Sequence, residues 1–255
     1  MARGNRANRE VRVGRRELRK QKEEGRSFGE KFMEQRKALV AHVEPKTVNQ
    51  KFFLDALKDQ QIVVGMGSAG TGKTFLAATH ATNEYIRDSR KKIYIARPYI
   101  PMGNSVGLLP GEIEDKIMPF LAPLTSVMKA QLGPKFEADF GKNIQIQLVE
   151  AIRGLDLQNA ILIVDEAQNL TIEEVKSIAT RIGENSQIIL IGDSAQSDLP
   201  DGESGLPWLI DLAADYDIEG IDFVEFTSDD IVRSGLVKRL VKAFEAEAIN
   251  RRSKK

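Results

Sequence analysis

The stretch Gly67-Ser-Ala-Gly-Thr-Gly-Lys73-Thr74 decides the fold of this chain. It matches the phosphate-loop pattern at every specified position. A short apolar run, Ile62 to Gly65, precedes it, and a segment with helical spacing follows it from Lys73 to Arg87. Glycines let backbone N–H groups approach a phosphate closely, and the first turn of a helix adds positive potential. A strand followed by a glycine-rich loop and a helix therefore predicts a nucleotide-binding α/β domain.

The residue types inside the loop predict individual roles and two cofactors, ATP and Mg²⁺. Lys73 is placed to bridge the β- and γ-phosphates, and the Thr74 hydroxyl is placed to ligate Mg²⁺. The nucleotide is expected to contact the whole loop: Gly67, Ser68, Ala69, Gly70, Thr71, Gly72, Lys73 and Thr74. The alternative is a glycine-rich turn with a surface lysine.

A second apolar run, Ile161 to Val164, ends in the acids Asp165 and Glu166. In parallel α/β folds the carboxyl ends of the strands are the edge where ligands bind, so both carboxylates are expected near the phosphate loop. Asp165 would hold Mg²⁺ through water, and Glu166 would polarise the water that attacks the terminal phosphate. Exposed acids are common at strand ends, so this signal depends on its pairing with the phosphate loop.

A third strand-like run ends in Gly192-Asp-Ser-Ala-Gln196. The Gln196 amide is a candidate sensor of the γ-phosphate. The alternative is that Asp193 merely caps a turn in an ordinary loop.

Strand-like runs alternate with helical ones and no hairpin signature is present, which predicts a mostly parallel sheet with helices on both faces. We expect a basic, disordered N-terminal arm over residues 1–45, an ATPase domain over 46–249 and a basic C-terminal tail over 250–255. Six prolines between 98 and 143 predict an irregular insertion of loops and short helices there.

The zero net charge conceals an asymmetry: residues 1–40 contain thirteen Lys or Arg and six acids. A basic arm on an acidic body predicts an anionic polymer as partner, nucleic acid before membrane, although a solvated tail is the alternative. No apolar run approaches the roughly 20 residues of a membrane span. The absence of cysteine excludes disulfides and thiolate metal sites, and a cytoplasmic location is expected.

Three segments together resemble motifs I, II and III of superfamily 1 helicases: Gly67 to Thr74, Asp165 to Gln168 and Gly192 to Gln196. Other segments resemble the PhoH-like ATPases more narrowly: Arg97-Pro98, Gly107-Leu-Leu-Pro-Gly111, Leu199-Pro200, Ser204-Gly-Leu206, Asp230-Ile-Val-Arg233 and Leu236-Val237. The small size and the basic arm are similar to the phage-encoded branch, which would place the protein in host cytoplasm.

The resemblance implies a single RecA-like P-loop NTPase domain, ATP hydrolysis, a homo-oligomer in the form of a hexameric ring, and a link to RNA or single-stranded nucleic acid. It also implies that Gln50 contacts adenine, although Thr47 to Gln50 also reads as a helix capping box. Arg97 would lie near nucleic acid or the phosphates, the alternative being a surface arginine at a strand end.

Arg233 occupies the position of the family's arginine. About 60 residues follow Gln196, too few for a second RecA-like domain. We therefore expect Arg233 to be an arginine finger that acts on a neighbouring subunit's ATP. An ion pair with Asp229 or Asp230 is the alternative.

Two other functions are alternatives to a nucleic-acid-coupled ATPase. A small-molecule kinase predicts a lid with several arginines, but residues 98–143 contain none. An ATP-dependent assembly switch or scaffold without motor activity stays open, and turnover with and without RNA would separate it from the first function.

Overall fold

A computed structural model describes residues 39–98, 113–200 and 202–252, and those from Ala41 onward belong to one compact unit. The strands are β1 Ile62–Gly67, β2 Lys92–Ala96, β3 Ile144–Gln147, β4 Ala160–Val164, β5 Gln187–Gly192 and β6 Ile221–Phe226. The α-helices are α1 Val48–Asp59, α2 Lys73–Arg87, α3 Ile113–Leu132, α4 Pro134–Asp139, α5 Val149–Ile152, α6 Ile172–Ala179, α7 Gly205–Asp215 and α8 Gly235–Arg252. Short 3₁₀ turns cover Ala167–Asn169, Ser194–Gln196 and Ser228–Asp230.

Within the described ranges the strands form one six-stranded sheet in the order β3-β2-β4-β5-β1-β6, and every pairing is parallel. All the strands therefore end at the same edge of the sheet. β1, β5 and β4 are consecutive neighbours, so the phosphate loop, the Asp193 segment and the Asp165-Glu166 pair leave that edge side by side. The prediction of an α/β fold with a parallel sheet is confirmed.

Successive side chains of each strand point to opposite faces of the sheet. A different set of helices covers each face. On one face, Val64, Leu162 and Leu190 pack into a core with residues of α5, α6 and α7. On the other face, a Cβ added to Gly65 would lie 2.7 Å from the Phe53 ring of α1. The adjacent odd-numbered strand residues Val63, Ile163 and Ile189 are also completely buried.

The 20-residue helix α3 corrects the expectation of short helices and loops between residues 98 and 143. The helix continues through Pro119 and Pro123, each of which removes a backbone donor. Packing compensates, because from residue 117 to residue 132 one face of the helix is buried: Ile117, Leu121, Leu124, Met128 and Leu132. The Gly107–Gly111 segment of the family resemblance lies outside the described residues, as do residues 1–38 of the basic arm.

The last helix, α8, also differs from expectation. In the sequence, Leu236, Val237, Leu240, Val241 and Phe244 have helical spacing, which predicts a final helix that closes the domain, but Leu236, Leu240 and Phe244 are 59%, 44% and 63% exposed. The helix ends at Arg252, so the first three residues of the expected tail at 250–255 are helical. Among the described helices, none is long and apolar enough to cross a membrane.

Candidate functional site

The phosphate loop connects β1 to α2 and has a backbone that requires glycine. Gly67, Gly70 and Gly72 have φ values of +124°, +83° and +94°, which side chains disfavour. At Gly67 space is also lacking, because a Cβ there would lie 1.8 Å from the carbonyl oxygen of Phe226. The Ser68 N–H donates to that same oxygen over 3.3 Å. The loop is therefore packed directly against the end of β6.

Lys73, the first residue of α2, turns its ammonium group into this loop. The Nζ atom donates to the carbonyl oxygens of Gly67 at 2.6 Å and Ser68 at 2.9 Å, and to the Thr71 hydroxyl at 3.3 Å. The residue is 8% exposed, and this burial lowers the pKa of Lys73. A phosphate that enters the loop would meet a desolvated cation, which strengthens their attraction.

Asp165 and Glu166 follow β4 and lie in different environments. Asp165 is 9% exposed, and its N–H donates to the Ala96 carbonyl of β2 at 2.9 Å. Burial raises the pKa of Asp165 to about 6, and the negative charge of Glu166 adds to the effect. Glu166 has φ +53° and ψ +36°, a left-handed conformation that is costly for a residue with a side chain. Strain of this kind is concentrated at functional sites.

The Glu166 carboxylate is held through both of its oxygens. Oε1 lies 3.3 Å from Nη2 of Arg97, and Oε2 accepts a hydrogen bond of 2.7 Å from Nε2 of Gln168. Gln168 is almost completely buried, and its own Oε1 accepts from the Asp193 N–H at 3.0 Å. One amide thus connects the acid after β4 to the loop after β5.

The segment after β5 contains a side-chain cap and places Gln196 at the cavity. Asp193 caps the short turn over residues 194–196, accepting from the Ala195 N–H at 3.1 Å. Gln196 donates from Nε2 to Oδ2 of Asp193 at 2.7 Å, and both residues line the same cavity as Lys73. The cap by Asp193 does not remove Gln196 from the cavity, and the contact of Gln196 with a γ-phosphate stays a prediction.

Gln50 is buried behind the phosphate loop, where both ends of its amide have partners. Nε2 donates to the Thr71 carbonyl at 2.8 Å, and Oε1 accepts from the Lys46 N–H at 2.8 Å. The Thr47 hydroxyl accepts from the Gln50 N–H at 3.2 Å, but the Gln50 side chain does not return to Thr47, so the capping box is incomplete. Gln50 supports the loop from behind, and its contact with adenine stays a prediction.

Arg233 lies close to the phosphate loop of its own chain. A Cβ added to Gly70 would lie 3.0 Å from Cδ and 3.1 Å from Nε of Arg233, and the Val232 N–H donates to the Gly70 carbonyl at 3.2 Å. The side chain therefore lies against the phosphate loop of its own chain, a position that favours action in cis, and action on a neighbouring subunit's ATP stays an untested prediction. Within the described ranges Arg233 forms no ion pair with Asp229 or Asp230 either.

A cavity of about 430 Å³ brings most of the predicted residues together. It is lined by Ala69, Gly70, Gly72, Lys73, Thr74, Phe75, Arg97, Pro123, Val127, Asp165, Glu166, Gly192, Asp193, Gln196, Val232 and Arg233. Gly67, Ser68, Thr71 and Gln50 lie outside this lining. Sequence reasoning missed the wall formed by Pro123 and Val127, although the apolar spacing of α3 was the signal that could have found it.

Thr74 and Asp165 line this cavity next to Lys73, and their oxygens fit a hard divalent cation. Among the described residues no group of three or more His, Cys, Asp or Glu could hold a metal by itself. Mg²⁺ typically takes one or two protein ligands and completes its shell with phosphates and water, so this donor set fits Mg²⁺.

Comparison with known proteins shows the family. A family model described as "PhoH-like protein" matches residues 42–245. The chain belongs to the PhoH-like family. The PhoH-like protein of Mycobacterium tuberculosis is 38% identical over 205 residues, which cover 79% of this chain and 58% of that protein. The Bacillus subtilis PhoH-like protein is 36% identical over 205 residues, 79% of this chain and 64% of the relative.

Protein PhoH of Escherichia coli is 35% identical over 201 residues, 76% of this chain and 56% of that protein. The chain thus spans about three fifths of the length of these curated PhoH-like relatives. Among solved structures, the N-terminal domain of the DNA packaging ATPase from bacteriophage phi29 matches with a TM-score of 0.43 and 14% identity, over 74% of this chain and 98% of that one. The large terminase of bacteriophage HK97 matches with a TM-score of 0.44 and 14% identity, over 73% of this chain and 40% of that one.

Proposed function

We propose that this PhoH-like chain is a Mg²⁺-dependent ATPase. The observation that carries the proposal is one cavity lined by Lys73, Thr74, Asp165 and Glu166 at the carboxyl edge of a parallel sheet. This combination provides a phosphate-binding cation, oxygen ligands for a metal and a carboxylate that can act as a base.

Each group has a role that its position supports. Lys73 and the loop N–H groups bind the β- and γ-phosphates, while Thr74 and Asp165 hold the metal. Mg²⁺, when bound, neutralises charge that develops on the phosphate oxygens. Glu166 accepts the proton of the attacking water, and Gln196 contacts the γ-phosphate. Arg233 extends along the loop of its own chain and stabilises the same phosphates in cis.

Two variants and two controls test the ATPase. Glu166→Gln is expected to bind ATP with wild-type affinity and lose roughly 10²- to 10⁴-fold in kcat, because the amide cannot take the proton. Lys73→Ala is expected to lose about 100-fold or more in kcat/KM. Glu150→Gln and Lys58→Ala, which change exposed residues outside the cavity, are the matched controls. Wild-type turnover by Glu166→Gln would refute the assignment of the base.

We also propose that hydrolysis is coupled to RNA or single-stranded nucleic acid, on the basis of the family resemblance and the basic residues 1–40. Deletion of those residues should weaken binding to poly(U) and flatten its dependence on salt, because fewer counterions are released. Basal ATPase should persist. Unchanged turnover on addition of poly(U) or oligo(dT) would favour the alternative, an ATP-dependent assembly switch or scaffold.

The proposed homo-oligomer, a hexameric ring, is supported by the resemblance and by the exposed row Leu236, Leu240 and Phe244 on α8. A second copy of the chain would bury this apolar surface. Sedimentation velocity of the wild type and of Leu240→Ser with Phe244→Ser tests the proposal. Identical sedimentation of the two proteins would exclude α8 as the contact.

A further inference from the structure

Phe75 on α2 is an exposed aromatic residue that lines the nucleotide cavity. It directly follows Thr74 and is 49% exposed, and among the described residues that line the cavity it is the only aromatic one. The core of the domain does not depend on it, because Leu76, Ala77 and Ala78 are the buried residues of the same turn. A large apolar ring left in water gains free energy when a ligand covers it.

The Phe75 ring has no stacking partner within the described ranges, because no other aromatic ring and no cation packs on it. Two other rings are covered. The Phe226 ring packs on Phe53 with 5.5 Å between the ring centres, and the Arg97 guanidinium lies 5.2 Å from the centre of the Phe120 ring. An aromatic ring without such a partner can accept another flat ring in an offset stack.

The neighbouring helix α3 adds two more apolar residues, Pro123 and Val127, to the lining of the same cavity. The two helices are joined by a hydrogen bond of 2.6 Å from Nε2 of Gln131 on α3 to Oδ1 of Asn83 on α2. The side chains of Pro123 and Val127 cannot bind a phosphate or a metal ion. The roles proposed for the phosphates, the metal and the attacking water therefore leave this apolar part of the lining unassigned.

The path of a bound triphosphate leads to Phe75. In a phosphate loop the backbone N–H groups surround the α- and β-phosphates, and the lysine reaches the β- and γ-phosphates. With the γ-phosphate toward Glu166 and Gln196, the α-phosphate lies toward the first turn of α2, so the nucleoside leaves the loop beside Phe75. The cavity volume of about 430 Å³ is in the range of sites that enclose a whole small-molecule ligand.

We propose that the base of the bound nucleotide stacks on the Phe75 ring, and that Pro123 and Val127 complete the apolar part of the site. Phe75 then contributes affinity for the nucleoside and not for the phosphates. Stacking requires only the π-face that every base has. This role of Phe75 rests on the ATP-binding function proposed above.

The test separates the nucleoside from the phosphates. Isothermal titration calorimetry in Mg²⁺ measures the affinity of full-length wild type, Phe75→Ala, Phe75→Tyr and Lys73→Ala for two probes, the non-hydrolysable analogue AMP-PNP and inorganic tripolyphosphate. Phe75→Ala should bind AMP-PNP roughly 5- to 100-fold more weakly, the loss produced by removal of a stacked aromatic ring, and should bind tripolyphosphate like the wild type. Phe75→Tyr keeps the ring and should bind both probes normally, whereas Lys73→Ala should lose both.

Phe52→Ala is the matched control. It also removes one exposed phenylalanine ring, but Phe52 lies on α1, is 55% exposed and does not line the cavity. It should match the wild type with both probes. A spectroscopic measurement supplements the affinities: the emission of Phe75→Trp, corrected for that of Trp208 in the wild type, should be quenched by AMP-PNP and not by tripolyphosphate.

Three results would overturn the proposal. An equal loss of both probes in Phe75→Ala, with circular dichroism showing a folded variant, would mean that the ring shapes the phosphate loop. Unchanged AMP-PNP affinity in Phe75→Ala would mean that the base binds elsewhere, and so would unchanged emission of Phe75→Trp on addition of AMP-PNP. If the wild type binds neither probe, the ATP site itself fails, a result distinct from the other outcomes.

Discussion

Replacement of Asp165 by Asn is expected to stabilise the metal-free protein while abolishing its activity. An ordinary aspartate has a pKa of 3.8, whereas that of Asp165 is about 6 because the carboxyl group is buried beside Glu166. Since one pKa unit corresponds to about 1.4 kcal/mol, ionised Asp165 lowers the free energy of unfolding by roughly 3 kcal/mol at neutral pH. Asparagine has the same shape and no charge to desolvate.

The direction in which stability changes with pH follows from the number of protons that the folded and unfolded chains bind. Between pH 3.8 and about 6 the folded chain holds a proton on Asp165 that the unfolded chain has released, so stability falls as pH rises through this window. The advantage of Asp165→Asn should therefore be largest above pH 6. It should shrink to about 1 kcal/mol at pH 4.5.

Urea denaturation in EDTA at pH 7.5 and pH 4.5 measures both values. Asp211→Asn, which removes the charge of an exposed acid on α7, should change stability by less than about 0.5 kcal/mol. If Asp165→Asn were no more stable than the wild type at pH 7.5, the carboxylate would not be desolvated and the reasoning would be refuted.

Three further outcomes are expected. Gly67→Ala should cost about 4 kcal/mol or more in urea denaturation, because the new methyl group would lie 1.8 Å from the Phe226 carbonyl oxygen; an intact, active variant would disprove this. A mixture of Lys73→Ala and Arg233→Ala proteins, under conditions where subunits exchange, should not recover ATPase activity, because Arg233 lies on its own chain's loop; recovery would show that it reaches a neighbour. Gln50→Ala should lower both the free energy of unfolding, by about 1–3 kcal/mol, and the nucleotide affinity, since it leaves the buried Thr71 carbonyl without its hydrogen bond. A loss of affinity alone would instead indicate contact with the base.

The part of the fold that carries the phosphate loop could be predicted from sequence because its signals are local. The phosphate loop marks the end of β1 and the beginning of α2, and the helix has the predicted bounds Lys73–Arg87. The strands β4 and β5 are continuous apolar runs because both of their faces are buried. Each run ends close to the predicted acids. The start of α6 has a local signal too, because Thr171 followed three positions later by Glu174 is the pattern of a capping box, and this box is present in the structure.

What the sequence did not predict depends on contacts between distant segments. Pro119 and Pro123 argue against a long helix when local preference is considered alone, yet the buried face of α3 outweighs them. The direction of Arg233 was equally beyond local reasoning, because it depends on the hydrogen bond between Val232 and Gly70, 162 positions apart in the chain. The expected burial of α8 failed because helical spacing identifies an apolar face but not whether anything covers it.

The attachments of the phosphate loop have a consequence for how fast and how selectively nucleotide binds. The loop is tied at Ser68 to β6, at Gly70 to the segment before α8, and at Thr71 to α1 through Gln50. A loop restrained from three directions is preorganised, so little of the binding free energy is spent on ordering it. Association should then be governed by diffusion and by the charge of the incoming phosphates. Discrimination between tri- and diphosphate would fall to the other groups that line the cavity, Glu166 and Gln196 among them.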